Sequence, residues 1–572
     1  DAGCTILNTD PVSLDFQADG VTKSSPTFTG STTINFNHTS VETLTLSVAN
    51  ASVTATNPVE CDSGGGSSCD IVFADAGFRF LYGASNATTV ANQTSGSSFS
   101  DTLKLQAVKD TNGVCTGLFT GNVSVDLAQE NVAPGGTGGL NFTLNGNTIA
   151  KHTGATSTSL NFGADSIATL TNPIYHDAGQ IRLHANYDVG GVTLTGSSNA
   201  FWVSPSYLEI KAQSGGIDLD GASASAAKVH KAGTNFDLTV SAFNSLNVVT
   251  PNYSPGQIQF LLDRTAPVLA ASVDGSLTYA AAASLTSATS PVFQNVTLSG
   301  FSSGISSYSG AQYSEVGLLN LDLQDSNYGG VGITIPAAAI NIGRFIPEHF
   351  DQTVVEQGSF TATCNSTTTF AYSGQKDQAT DSVGAIRYLT NPILSIAAKN
   401  AQGVVTQNYY EDSQGSANDY MKLSASDITI TAPSADEVAT GIDTNPLPVT
   451  SNMATGTLSQ TNLDASDADF GNALPKGTLH YELSNSDHFT YDRSANALVT
   501  PFTADLDFTL TSVADNEGVA ATSTSNVDSI TGVSIRFGRL IIDNNFGPET
   551  EDLPMLMRTE YWDGSKYVTN AD

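Results

Sequence analysis

Short runs in which apolar and polar residues alternate, each cut off by Gly, Asn, Pro or Ser, limit what this chain can fold into. Between Val41 and Val48, residues Leu44, Leu46 and Val48 share one face and Thr43, Thr45 and Ser47 the other, the period of a strand buried on one side. The pattern returns over 180–187, 236–242, 427–431 and 505–510. The one Ala-rich stretch, 222–232, is short and carries no apolar stripe, so it is predicted to be loop rather than helix. Many short strands predict β-sandwiches. A length of 572 residues, at roughly 150 per domain, leaves room for about four folded units.

Composition decides what such sandwiches present. The chain has 26 Phe and 18 Tyr and is 40% hydrophobic, enough to fill several cores and too much for a disordered polymer. Charged residues are only 13%, against about 25% in ordinary domains, so the surface is written in Ser, Thr, Asn and Gly. What charge there is runs one way, 21 Lys and Arg against 55 Asp and Glu, for a net −34. That balance repels phosphate backbones and anionic bilayers, excluding nucleic acid and leaving divalent cations and neutral ligands. A solvated acidic surface is the plainer reading of the same charge. No run of 18 or more apolar residues occurs, so no membrane span is predicted in this chain. Asp1 in place of an initiating Met, with no charged-then-apolar leader, predicts a mature or excised portion of a secreted protein.

Cys61 and Cys69 flank Asp-Ser-Gly-Gly-Gly-Ser-Ser, a flexible loop that a disulfide can close; no CxxC or nearby His supports zinc instead. An oxidising compartment follows. Cys4 and Cys115 are candidate partners for each other, and Cys364 is left over.

Internal repeats order the chain. Ala242-Phe-Asn-Ser-Leu-Asn-Val-Val-Thr-Pro-Asn-Tyr253 and Ala398-Lys-Asn-Ala-Gln-Gly-Val-Val-Thr-Gln-Asn-Tyr409 agree at seven of twelve positions. Gly343-Arg-Phe-Ile-Pro-Glu-His-Phe350 is echoed by Gly538-Arg-Leu-Ile-Ile-Asp-Asn-Asn-Phe546 and, more loosely, by Val203-Ser-Pro205. Gly179-Gln-Ile-Arg-Leu183 pairs with Gly317-Leu-Leu-Asn-Leu321. These signals predict tandem immunoglobulin-like β-sandwich modules in an elongated rod: 1–204 (or two smaller β domains), 205–345 and 346–539, with 540–572 returning as strands on the last. The joints are Pro205, Gly343, Arg344, Phe345, Pro347, Gly538 and Arg539, where Pro limits pairing between adjacent sheets.

At Cys69-Asp-Ile-Val-Phe-Ala-Asp-Ala-Gly-Phe-Arg-Phe80, Asp177-Ala-Gly-Gln-Ile-Arg-Leu183, Tyr313-Ser-Glu-Val-Gly317, Gly343–Phe350, Arg536-Phe-Gly-Arg-Leu540 and Glu560-Tyr-Trp-Asp-Gly564, the chain resembles the MshQ-like proteins encoded with mannose-sensitive haemagglutinin type IV pili. The resemblance runs over nearly the whole chain and implies pilus-linked surface assembly or adhesion rather than a reaction. It departs in lacking the signal peptide and lectin-like jelly roll such proteins often carry upstream. The family pattern also continues past the last residue, Asp572, into a Ser-Cys pair, which would give Cys364 a partner.

Chemistry-bearing motifs are sparse. Gly-x-Ser-x-Gly, His-Glu-x-x-His and Walker loops are missing, the eight His are scattered, and Ser225-Ala-Ala-Lys228 is a bare Ser-x-x-Lys match without companions; no enzyme is predicted. Calcium is the one cofactor with a claim, through Asp464, Asp467 and Asp469 and through Asp515 and Glu517, although neither cluster completes an EF-hand and solvated turns read the same way. Phe201, Trp202, Tyr207, Tyr561 and Trp562 offer a glycan platform or, more ordinarily, plugs between modules. The expected protein is a non-catalytic bacterial surface protein, a pilus-associated adhesin or stalk subunit. Its expected partners are appendage subunits, copies of itself, or a glycan or host-surface ligand. The rival is a filament subunit that assembles by strand addition.

Overall fold

The computed structural model describes residues 12–572 apart from 35, 37–41, 51–68, 74–75, 112–113, 190–191, 363–368, 376–384, 412–417, 441–445, 461–473 and 494–497. Among the described residues the regular structure is β throughout, broken by a single 3-10 turn at Ala425–Asp427, and 222–232 is loop ending in the short strand His230–Lys231. The chain is a tandem array of immunoglobulin-like sandwiches, and alternation is why. In Phe236–Phe243 the residues Phe236, Leu238, Val240 and Ala242 are buried while Asp237 and Thr239 lie outside the core, so only a two-layer sheet satisfies both faces.

Two compact units are formed. The first comprises Asp1–Tyr207, Ala242–Ser254 and Tyr328–Ile333. Its larger sheet is built on the antiparallel pair Gly121–Ala133 and Gly179–Val189, in register Leu127 to Ala185. Its smaller sheet centres on Leu103–Thr111, flanked by Ala76–Tyr82 and Ile167–Leu170. Phe78, Phe80, Leu105, Leu127, Phe142 and Ile181 fill the space between, and truncating any one of these to Ala would cost about 3 kcal/mol.

The second unit comprises Leu208–Ser241, Pro255–Asn327 and Thr334–Asp572. Within it, Gly317–Tyr328 pairs with Ile258–Ala266 on one side and Ile340–Ile346 on the other. Sheet membership changes just after Ile346: the next strand, His349–Glu356, joins Ile393–Lys399 and Thr478–Glu482. Facing it, Phe502–Val513 pairs with Ser525–Arg536, around a core of Leu394, Ile396, Phe489, Leu506 and Phe508. The last strands, Gly538–Ile542, Met557–Trp562 and Tyr567–Thr569, pair with one another in a sheet of their own.

Candidate functional site

The first sequence repeat folds into one turn made three times. After Phe236–Phe243, the Asn244 side chain accepts the N–H groups of Leu246 and Val248 through Oδ1. After Ile393–Lys399, Asn400 does the same for Gln402 and Val404. After Phe502–Val513, Asp515 does so for Glu517 and Val519, at 2.9 Å each. Each turn also closes with the same backbone bonds: Asn244 N–H to Val248 O, Asn400 N–H to Val404 O and Asp515 N–H to Val519 O. A short polar side chain bonding two and four residues ahead replaces a backbone ladder where the chain must reverse. The fourth position of each turn is left-handed: Asn247 at φ 59°, Gly403 at 75° and Gly518 at 82°, the conformation that Gly and Asn tolerate best.

The Thr-x-Asn-Tyr ends of the first two copies are each gripped by a buried acid. Asp177 accepts the Asn252 N–H at 3.0 Å, the Ala178 N–H and the Leu140 N–H. Glu315 accepts the N–H groups of Val316, Gln407 and Asn408 at 2.8, 2.9 and 3.1 Å. Burial raises the carboxyl of Glu315 to about 7, against the pull of those three N–H groups and of Arg264. Asp177 is raised for the same first reason. Asn408, fully buried, completes the second grip by donating to the Val273 and Val316 carbonyls. Beside each acid stands a Gly at positive φ, Gly179 at 133° and Gly317 at 142°. A Cβ there would strike the carbonyl oxygen of Ala133 or Ala266, which is why Gly opens both strands.

The third copy is tied differently. Arg344, 1% exposed, gives its guanidinium bidentately to Glu517, with Nη1 at 2.8 Å, and donates to the Ala226 carbonyl through Nε and Nη2. Tyr409 donates to Asp515 at 3.4 Å while accepting the Lys422 and Leu423 N–H groups. Asp515 and Glu517, read from sequence as calcium ligands, therefore hold protein partners. Asp464, Asp467 and Asp469 lie outside the described residues, and among the described residues no three of His, Cys, Asp or Glu gather as a metal site.

The other expected joint residues fall as follows. Gly343, Arg344, Phe345 and Pro347 form one buried run, and Pro205 is buried. Gly538 opens the last sheet, where a Cβ would strike the Tyr372 ring, and Arg539 pairs with Glu560 at 2.7 Å. Trp202 packs edge-on to Tyr328 at 5.3 Å, and Tyr207 stacks on Phe243 at 5.4 Å. Cys4, Cys61 and Cys364 lie outside the described residues; Cys115 sits in the strand Val114–Gly117.

Four models of one family match the chain in order. DUF6701, first Ig-like domain, matches residues 58–197; the second domain matches 204–295, the third 315–537 and the fourth 536–572. The chain belongs to the DUF6701 family. As a domain of unknown function, DUF6701 assigns no activity. Its third-domain match begins at Glu315, the acid of the second grip. Among solved structures this DUF6701 chain is similar to FdeC, an Escherichia coli adhesin, at 11% identity over 80% of this chain and 98% of that one, TM-score 0.23. It is similar to invasin, a bacterial integrin-binding protein, at 9% over 82% and 63%, TM-score 0.28. InvD of Yersinia pseudotuberculosis is similar at 14% over 80% and 97%, TM-score 0.25. Overlaps this loose say nothing about activity. Among curated proteins, none matches the chain.

Proposed function

We propose that this DUF6701 protein is a non-catalytic bacterial surface protein, exported through an oxidising compartment, that serves as an adhesin or stalk subunit of a pilus or similar appendage, as the MshQ-like resemblance implies. The observation that carries the reading is the repeated grip. The turn between Ala398 and Tyr409 is clamped by Glu315 and Asn408 through buried hydrogen bonds, which supports a fixed joint rather than a hinge. Buried polar bonds of this kind cost several kcal/mol to strand and so hold one geometry, which suits a protein that presents surfaces under load. A Cys61–Cys69 disulfide belongs to the same reading, and Cys69 does not stand as a free thiol. Gold-labelled antibody against this chain, viewed on intact cells and purified appendages, tests it. Label at the cell surface or pilus tips is expected; label confined to the cell interior would sink the proposal.

A second reading, a filament subunit built by strand addition, has one observation in its favour. Gly538–Ile542 pairs only with Met557–Trp562 among the described residues, so its outer edge is open, and Leu540, Ile542, Phe546, Leu556 and Met557 beside it are more than half exposed. Open edges with apolar flanks are templates for another strand. Fibres rebuilt by the purified protein alone would favour it over the adhesin.

A further inference from the structure

A cavity of about 560 Å³ opens beside the C-terminal sheet, between the turn after Phe370–Tyr372 and the strand Gly538–Ile542. Among the described residues its charged lining is Arg493 and Arg539, and none of the described lining residues is a carboxylate. That runs against a chain carrying 55 acidic to 21 basic residues. Both guanidiniums are held in place by rings: Arg493 lies over Phe537 at 4.0 Å and Arg539 over Tyr567 at 3.5 Å. Arg493 spends Nη1 on the Gly538 carbonyl, leaving Nε and Nη2 without an acceptor among the described residues. Arg539 spends Nε and Nη2 on Glu560 and keeps Nη1. The remaining wall combines the Tyr372 ring and Leu540 with the neutral polar side chains of Ser373, Gln375 and Thr559. Ser373 is 6% exposed, and its hydroxyl has no hydrogen-bond partner among the described residues. Gly374 and Gly538 let these parts meet: a Cβ at the first would press on Arg493, at the second on Tyr372.

Such a wall selects its ligand by charge and shape. Pre-placed guanidiniums bind planar anions through paired N–H groups at little entropic cost. The volume is that of an ordinary small-molecule site. A ring face and a leucine suit the C–H face of a sugar, while hydroxyl and amide groups suit its hydroxyls. The net −34 of the chain penalises a dianion twice as heavily as a monoanion, which favours one carboxylate over a phosphate. We propose that this cavity binds a carboxylate-bearing sugar of an acidic glycan, with Arg493 taking the carboxylate. The inference rests on the surface-protein reading for where such a glycan is met, and it deepens that reading.

Calorimetric titration of the full chain with methyl β-glucuronide, its methyl ester, methyl β-glucoside and inorganic phosphate tests this. Saturable binding of the glucuronide is expected, with the other three at least tenfold weaker. Arg493→Gln should weaken the glucuronide tenfold or more in a protein that still unfolds cooperatively, and Arg182→Gln, in the Glu130 ion pair far from the lining in sequence, should leave affinity unchanged. Should Arg493→Gln fail to fold, Thr559→Trp, at an exposed lining position, should block the cavity and abolish binding. Equal affinity for the glucoside or phosphate, unchanged affinity in Arg493→Gln or Thr559→Trp, or no saturation by the wild type would each overturn the proposal. Surface gold label without glucuronide binding removes the sugar and leaves the surface protein; glucuronide binding by a protein never found outside the cell does the reverse.

Discussion

Glu315 sets burial against hydrogen bonding. Three N–H groups and Arg264 favour its charge, yet burial outweighs them and pushes the carboxyl up to about 7. A carboxyl that holds its proton more tightly folded than unfolded stabilises the fold fully below its unfolded pKa of about 4.5, and the contribution drains as pH rises through about 7. The displacement corresponds to about 3 kcal/mol. Denaturant unfolding of wild type and Glu315→Gln between pH 4 and 8 should therefore show the wild type losing up to about 3 kcal/mol relative to the variant as pH rises; parallel profiles would refute the assignment. Asp177 and Asp515 are raised first by burial as well, and comparison with Glu315→Gln removes their shared slope. At the Arg344–Glu517 pair the consequence is one of missing partners. Glu517→Gln leaves a guanidinium 2% exposed without its counter-charge, an expected loss of about 3 kcal/mol. The loss should be equal in calcium and in chelator. A loss confined to calcium would return Glu517 to the role of cation ligand.

For the turn as an element, the test is its fourth position. Gly403 and Gly518 have open space where a Cβ would go, so substitution there meets only the left-handed backbone. Gly403→Ala and Gly518→Ala should each cost about 1 kcal/mol, and Asn247→Gly should change stability by less than about 0.5 kcal/mol, read as shifts in the denaturation midpoint. Costs of several kcal/mol would mean the turn is held by something other than its φ. The first two copies were legible because Asn, Val-Val-Thr and Asn-Tyr recur letter for letter. The third was not: Asp515 stands for Asn and Ala521 for Thr, a substitution the geometry accepts because a carboxylate oxygen takes the same two N–H groups. The gripping acids were invisible for another reason. Asp177 lies 75 residues before Asn252, and Glu315 lies 93 before Asn408, and no local pattern encodes a contact that only the packed sheets create. Alternation likewise gave the strands, but not which of them would share a sheet, so the Arg493–Arg539 cavity, assembled from four distant segments, had no trace in the sequence.

Across the whole molecule, the net charge of −34 acts against self-association while the exposed residues around 540–557 act for it. The two respond oppositely to salt: repulsion between like-charged copies fades as the screening length falls from about 30 Å at 0.01 M to about 3 Å at 1 M, whereas apolar burial does not weaken. Sedimentation velocity at low and high salt over a range of protein concentration therefore separates the two readings. For an adhesin or stalk subunit, a single species of 59.3 kDa is expected at every salt and concentration. For a filament subunit, larger species should grow with concentration and grow further with salt. Leu540→Lys, on the open edge and 62% exposed, should then return the protein to one copy, because a lysine on an edge strand opposes pairing. Growth that Leu540→Lys leaves untouched would place the self-association elsewhere and leave the open edge free for a different partner.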